Sequence, residues 1–197
     1  MALDTYANLQ TEIAAWMYRT DLTAKIPDFI TLCEADMQVR CKLLQFESSS
    51  TLTVTAGVAS LPADYKGHRS AYLDGDTKRP LRYLPPDRYD LQSNEEGTGT
   101  WFTITDDTFK MAPASDGSVV LTYYAKFTPL SNSNTSNSLL SNYPDAYLYG
   151  SLVQAARYTK DNDALATNMP MYEAAISRIK TDNNDRKFPG PLQVKAS

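Results

Sequence analysis

SNYPDAYLYGSLVQAARYTK, residues 141–160, is the stretch around which the rest of the chain is organised. Pro144 stands where the first turn of a helix tolerates a missing N–H, with Asn142 or Tyr143 ahead of it as a cap. At 100° per residue, Leu148, Tyr149, Leu152, Val153, Ala155 and Ala156 gather on one arc, which predicts a helix with an apolar face. Tyr147, Ser151, Gln154 and Tyr158 form a second stripe on the opposite side. The first arc would bury against other helices of the same chain. The second, small and tyrosine-rich, is either a solvated face or a contact with another subunit. Neither stripe holds a group that does chemistry.

Working outward, Thr5 or Asp4 can cap a helix running to about Arg19, with Tyr6, Leu9, Ile13, Trp16 and Met17 on one face. Its capping box is incomplete, because Asn8 stands where Glu or Gln is wanted. A turn at residues 20–23 leads to a second helix from Pro27 to about Leu44. Its arc, Ile26, Phe29, Ile30, Cys33, Met37, Cys41 and Leu44, is the clearest periodicity in the chain. Beyond Lys160, Asp161-Asn162-Asp163 breaks the chain, and a last helix places Leu165, Met169, Tyr172, Ile176 and Ile179 together. Pro170 predicts a kink or a late start there, and the Asp182–Asp185 run predicts a stop. Pro189, Gly190 and Pro191 make the remainder an extended arm.

Between the helical ends the grammar changes. Residues 51–55 alternate at period two before the turn Ala56-Gly57, and residues 61–65 read as an extended corner. Strands at 68–73 and 81–84 are joined across Asp74-Gly75, a hairpin signal. Pro85-Pro86-Asp87 starts a short helical turn ending near Gln92. Strands at 101–104 and 109–111 flank Asp106-Asp107, and residues 119–127 form the strongest strand. About six short strands make a small antiparallel sheet or sandwich, and the Ser/Asn-rich segment 128–142 links it back to the helices. The fold expected is α+β. An antiparallel helical bundle of two helix hairpins (1–47 and 138–185) carries an inserted small antiparallel β-module (48–130) and an extended C-terminal arm (186–197).

A chain of 197 residues is long enough for a real core. Its net charge of −4 opposes electrostatic capture of nucleic acid. Cys33 and Cys41 would lie about 12 Å apart along one helix, beyond the ~7 Å that a disulfide spans, so both read as core thiols. The N-terminal sequence has no basic segment followed by an apolar one, so no secretory signal is expected. No apolar run approaches the ~18 residues of a membrane span. His68 is the single histidine, and a Ser-His-Asp or Cys-His centre would have to use it; a place at a sheet edge fits it better. Three His and Cys residues in all leave too few ligands for a zinc site. The 161–163 and 182–185 runs lack the Gly and the twelfth-position Glu of a calcium loop. Glu95-Glu96 would need a cleft to act as an acid–base pair. Lys78, Arg79 and Arg82 form a basic cluster at a hairpin tip, either solvated or in contact with nucleic acid or an acidic partner. No catalytic site, cofactor site or metal site is predicted.

Four motifs in this order, IPDFI (26–30), LPADY (61–65), YLDG (72–75) and LLSNYPDAYLYG (139–150), resemble the adaptor, or head-to-tail connector, proteins of tailed bacteriophages. The likeness spans nearly the whole chain and points to the portal-binding adaptors of short-tailed phages. It implies a structural virion protein, not an enzyme, made in the host cytoplasm and placed at the capsid–tail junction. Its partners would be copies of itself in a ring of about twelve subunits, the portal protein, and downstream nozzle or fibre-bearing tail proteins. DNA would pass through the lumen without sequence-specific binding, and no membrane is involved. The arm would dock into the portal through Phe188, Leu192 and Val194, and Tyr147, Ser151, Gln154 and Tyr158 would face the neighbouring subunit. The rival readings are another tail-tube or nozzle component and, from a different class, a tail-associated glycan-cleaving enzyme. The second rival demands two carboxylates about 5–10 Å apart in a cleft.

Overall fold

Thr5 opens the first helix as expected, accepting the Asn8 N–H at 3.3 Å, while Asp4 takes the Asn8 side-chain amide at 2.7 Å. A computed structural model describes residues 3–41, 46–75, 77–92 and 97–187. Its helices are α1 (Tyr6–Met17), α2 (Ile26–Arg40), α3 (Pro86–Gln92), α4 (Ser138–Asn142), α5 (Pro144–Thr159) and α6 (Asn162–Lys187). Its strands are β1 (Glu47–Val54), β2 (Val58–Ser60), β3 (Tyr65–Asp74), β4 (Arg79–Tyr83), β5 (Trp101–Thr105), β6 (Thr108–Ala112) and β7 (Gly117–Ala125). Contacts divide the chain into a helical unit, residues 1–44 with 127–197, and a β unit, residues 45–126.

In the helical unit α5 is the central element. It packs against α1, α2, α4 and α6 and is buried on nearly every side, from Ala146 through Ala156. The apolar arc of α2 is buried as its periodicity predicts, through Ile26, Phe29, Ile30, Cys33 and Met37. Leu44, the last member of that arc, lies outside the described residues. Both cysteines are buried free thiols. The last helix departs from expectation twice. It runs unbroken past Pro170, which sits on the exposed side, where water can take the carbonyl that the missing N–H releases. The Asp182–Asp185 run does not stop it either. Asp182 accepts from the Tyr143 hydroxyl and pairs with Arg186 at 3.0 Å, and Asn183 is buried, so these side chains bond sideways within the unit.

The expected architecture, a helical bundle with a small antiparallel β-module, is corrected by the β unit. Seven strands form one sheet in the order β1-β7-β3-β4-β5-β6-β2. The first two strands therefore lie at opposite edges of that order, yet Thr55 and Val58 bridge them directly across a two-residue turn. The sheet is curled into a nearly closed barrel around its own core, which includes Leu52, Leu81, Phe102, Phe109, Met111, Val119 and Leu121. Two register shifts in β3, at Tyr65/Gly67 and His68/Ser70, supply bending points. The sheet is not wholly antiparallel, since β4 and β5 pair in parallel through Arg82↔Trp101 and Tyr83↔Phe102. The short strand β2 had no alternating signature of its own. It exists because Val58, Ala59 and Ser60 pair with Lys110, Phe109 and Thr108.

The turn that closes the barrel needs left-handed backbone at both central residues, Ala56 (φ 50°) and Gly57 (φ 78°). A Cβ on Gly57 would stand 2.9 Å from the Met111 carbonyl oxygen, while the Gly57 carbonyl accepts the Met111 N–H at 2.7 Å. Gly57→Ala is expected to cost about 2 kcal/mol, whereas Ala56→Gly should leave stability unchanged or raise it. Urea unfolding of the two variants checks the contrast; equal effects would refute the close-approach argument.

Candidate functional site

The tyrosine stripe of α5 divides in two. Tyr147 and Ser151 are fully buried within their own helical unit, so they do not form the surface expected to face a neighbouring subunit. Only Gln154 and Tyr158 of that stripe reach outward. The reason is the company α5 keeps. Cys33 on α2 lies against the Ala146 and Tyr147 carbonyls, its thiol 3.7 Å from the first. Gly150 lets Cys33 and Tyr172 approach closer than any Cβ would allow.

Tyr147 instead belongs to an interior polar network that sequence reading missed. Its hydroxyl donates to Glu34 Oε1 at 3.0 Å and accepts from Asn137 Nδ2 at 2.8 Å. The same Glu34 oxygen accepts the Leu130 N–H at 2.8 Å. Asn137 also caps α4 through the Leu140 N–H and reaches the Thr128 carbonyl. The segment 127–137 is thereby pinned to α2 and α5. Burial pushes the Glu34 carboxyl above its ordinary range, a shift that the bonds from Leu130 and Tyr147 oppose. Burial likewise raises the Tyr147 hydroxyl, and the neighbouring Glu34 adds to it. The signal was present in the sequence: a carboxylate at position 34 falls at the edge of the apolar arc of α2.

A second network joins α2 to α6. The Tyr172 hydroxyl donates to Asp36 at 2.6 Å, Arg40 grips Glu173 with both terminal nitrogens, and the Arg40 guanidinium lies 5.5 Å over the Tyr172 ring. Arg40 holds the Glu173 carboxyl below its usual range, and burial raises the Tyr172 hydroxyl. These groups are one another's hydrogen-bond and ion-pair partners.

Uncovered apolar side chains stand at the end of α1 and along α2 and α5: Trp16 (49% exposed), Tyr18 (95%), Leu32 (53%) and Tyr158 (57%). Two grooves lie beside them. One runs between the end of α1 and the α5–α6 turn, lined by Trp16, Leu22, Leu152, Ala155 and Ala164. The other lies between α2 and α5, lined by Phe29, Leu32, Gln154, Arg157 and Tyr158.

In the β unit His68 serves packing. Its ring stacks on Tyr83 at 4.4 Å and meets the edge of Phe102 at 5.5 Å. The basic cluster at 78–82 is exposed, with Lys78 over the Tyr72 ring at 5.0 Å and Arg82 over Trp101 at 5.6 Å. Among the described residues no group of three or more His, Cys, Asp or Glu side chains could hold a metal ion. No described helix is long and apolar enough to cross a membrane. Glu95-Glu96 and the arm residues Phe188, Leu192 and Val194 lie outside the described residues.

No curated protein matches the chain. The sequence model of one family, the SU10 adaptor protein, matches residues 4–195. With nearly the whole chain covered, both the helical unit and the β unit fall inside the match, and the protein belongs to the SU10 adaptor protein family of phage structural adaptors.

Proposed function

We propose that the chain is one subunit of an adaptor ring that joins the portal vertex of the capsid to the tail and continues the channel for DNA. The observation that carries this reading is the family match over residues 4–195. A ring subunit needs surface that the single chain leaves uncovered, and Trp16, Tyr18, Leu32 and Tyr158 provide it. The net charge of −4 suits a lumen through which DNA slides, because like charge discourages adhesion of the phosphate backbone. The ring would hold about twelve copies joined by heterologous contacts of about 1,200 Å² or more each. The portal protein would lie on one side and nozzle or fibre-bearing tail proteins on the other, within the virion.

The test is to mix the purified chain with its portal protein and image the complex by electron microscopy. A closed ring of adaptor density against the portal is expected. Cross-links to tail proteins alone would replace this reading with a tail-tube or nozzle role, and complete, filled, tailed particles lacking the chain would end it.

Phe188, Leu192 and Val194 are the apolar anchors of the arm that reaches the portal. A chain cut after Lys187 keeps α6 intact. It should retain its helical circular dichroism while losing portal binding by at least about tenfold. Unchanged binding would remove the arm from the interface.

A further inference from the structure

We infer that Tyr18, with Trp16 beside it, is the knob that each copy inserts into the α2–α5 groove of the next copy. This rests on the ring reading and names the contact within it. Tyr18 closes α1 with φ 50°, a left-handed position where glycine is usual because a Cβ is strained there. At 95% exposure its ring makes almost no packing contact to offset that strain in the single chain.

The groove has a volume of about 370 Å³ and is lined by the buried Phe29, the exposed Leu32 and Tyr158, and the charged Lys25, Asp28 and Arg157. Knob and groove lie on opposite sides of α5. Trp16 meets Tyr149 edge-on at 5.8 Å, whereas Phe29 meets Tyr158 at 5.5 Å. At 100° per residue, Tyr149 stands about 140° from Gln154 and about 180° from Tyr158. Two different patches on opposite sides mate head to tail, which propagates around a ring instead of stopping at a two-fold dimer. Charge agrees with this pairing. Glu12 lines the hollow beside Tyr18, while in the groove Asp28 is paired with Lys25 at 3.2 Å and no ion pair among the described residues involves Arg157, which leaves the groove one net positive charge.

The experiment uses the full chain carrying Ala15→Cys, which stands beside Tyr18 and leaves its ring in place, and Leu32→Cys, oxidised at high concentration, alone and with the portal protein. The native thiols at 33 and 41 are buried. A ladder of covalent multimers extending past the dimer is expected, and neither single variant should give one. Rings in the microscope without a ladder would overturn the inference and leave the ring reading standing. Neither rings nor a ladder would overturn both. Linkage of the Leu32→Cys chain to the portal protein would assign the groove to the portal and end the inference. In parallel, Tyr18→Gly should raise the urea midpoint of the chain while weakening self-association at least about tenfold. A fall in both would make Tyr18 part of the fold and refute the proposal.

Discussion

Gly150→Ala is expected to destabilise the helical unit by about 2–3 kcal/mol, although alanine is the better helix former by about 1 kcal/mol. Packing sets the sign. The new Cβ would stand 2.3 Å from Cys33 Sγ and 2.8 Å from Tyr172 Cε2. The Tyr172 ring cannot yield, because it is buried, tied to Asp36 through its hydroxyl and covered by Arg40. The clash therefore pushes α5 away from α2 and α6 together. Cys33→Ala removes the nearer obstacle, so the Gly150→Ala/Cys33→Ala chain should regain roughly half of the loss. Urea unfolding of the four chains measures the coupling. Strict additivity would mean that positions 33 and 150 do not meet.

Glu34→Leu should cost about 2–5 kcal/mol, because it strands the Leu130 N–H and the Tyr147 hydroxyl, at about 1–3 kcal/mol each. Glu34→Gln keeps the accepting oxygen and should cost little at low pH. Its difference from wild type then depends on pH in a defined direction. Burial raises the Glu34 carboxyl in the folded chain, so the unfolded chain gives up this proton first as pH rises. From the ordinary Glu range near about 4.3 up to the raised folded value, the wild type loses stability that the Gln variant keeps. Above that value the difference is constant. Glu173 and Asp182, held below their usual ranges by Arg40 and Tyr143, act in the opposite sense in both chains and cancel in the comparison. Unfolding curves collected across that window test the point; a Gln variant that gains nothing on wild type as pH rises would refute it.

Local signals read well in this chain, and signals that depend on distant segments did not. Pro144 and the apolar arc behind it located α5 to within a residue at its C-terminal end, and Asp106-Asp107 marked a hairpin whose two central residues do adopt positive φ. Pro170 does not delay the start of α6, because an exposed proline costs less than a buried one. The barrel was missed for a different reason. The parallel pair of β4 with β5 and the three residues of β2 draw their stability from strands far off in sequence, and no short window encodes that. The same holds for Tyr147: its period placed it on an outward stripe, but Glu34, 113 positions earlier, turns that stripe into an interior one. Half of the expected contact face, Gln154 and Tyr158, is on the surface, while Trp16 and Tyr18 were read as core or passed over.

The pairing of β1 with β7 has an architectural corollary. Glu47 sits across from Tyr124, so the polypeptide leaves the helices and returns to them by two strands about 5 Å apart. A cassette with such closely spaced ends can be excised, exchanged or enlarged without lengthening the path between α2 and α4. The same two chain ends accept a barrel of another size or sequence while the helical unit keeps its own core.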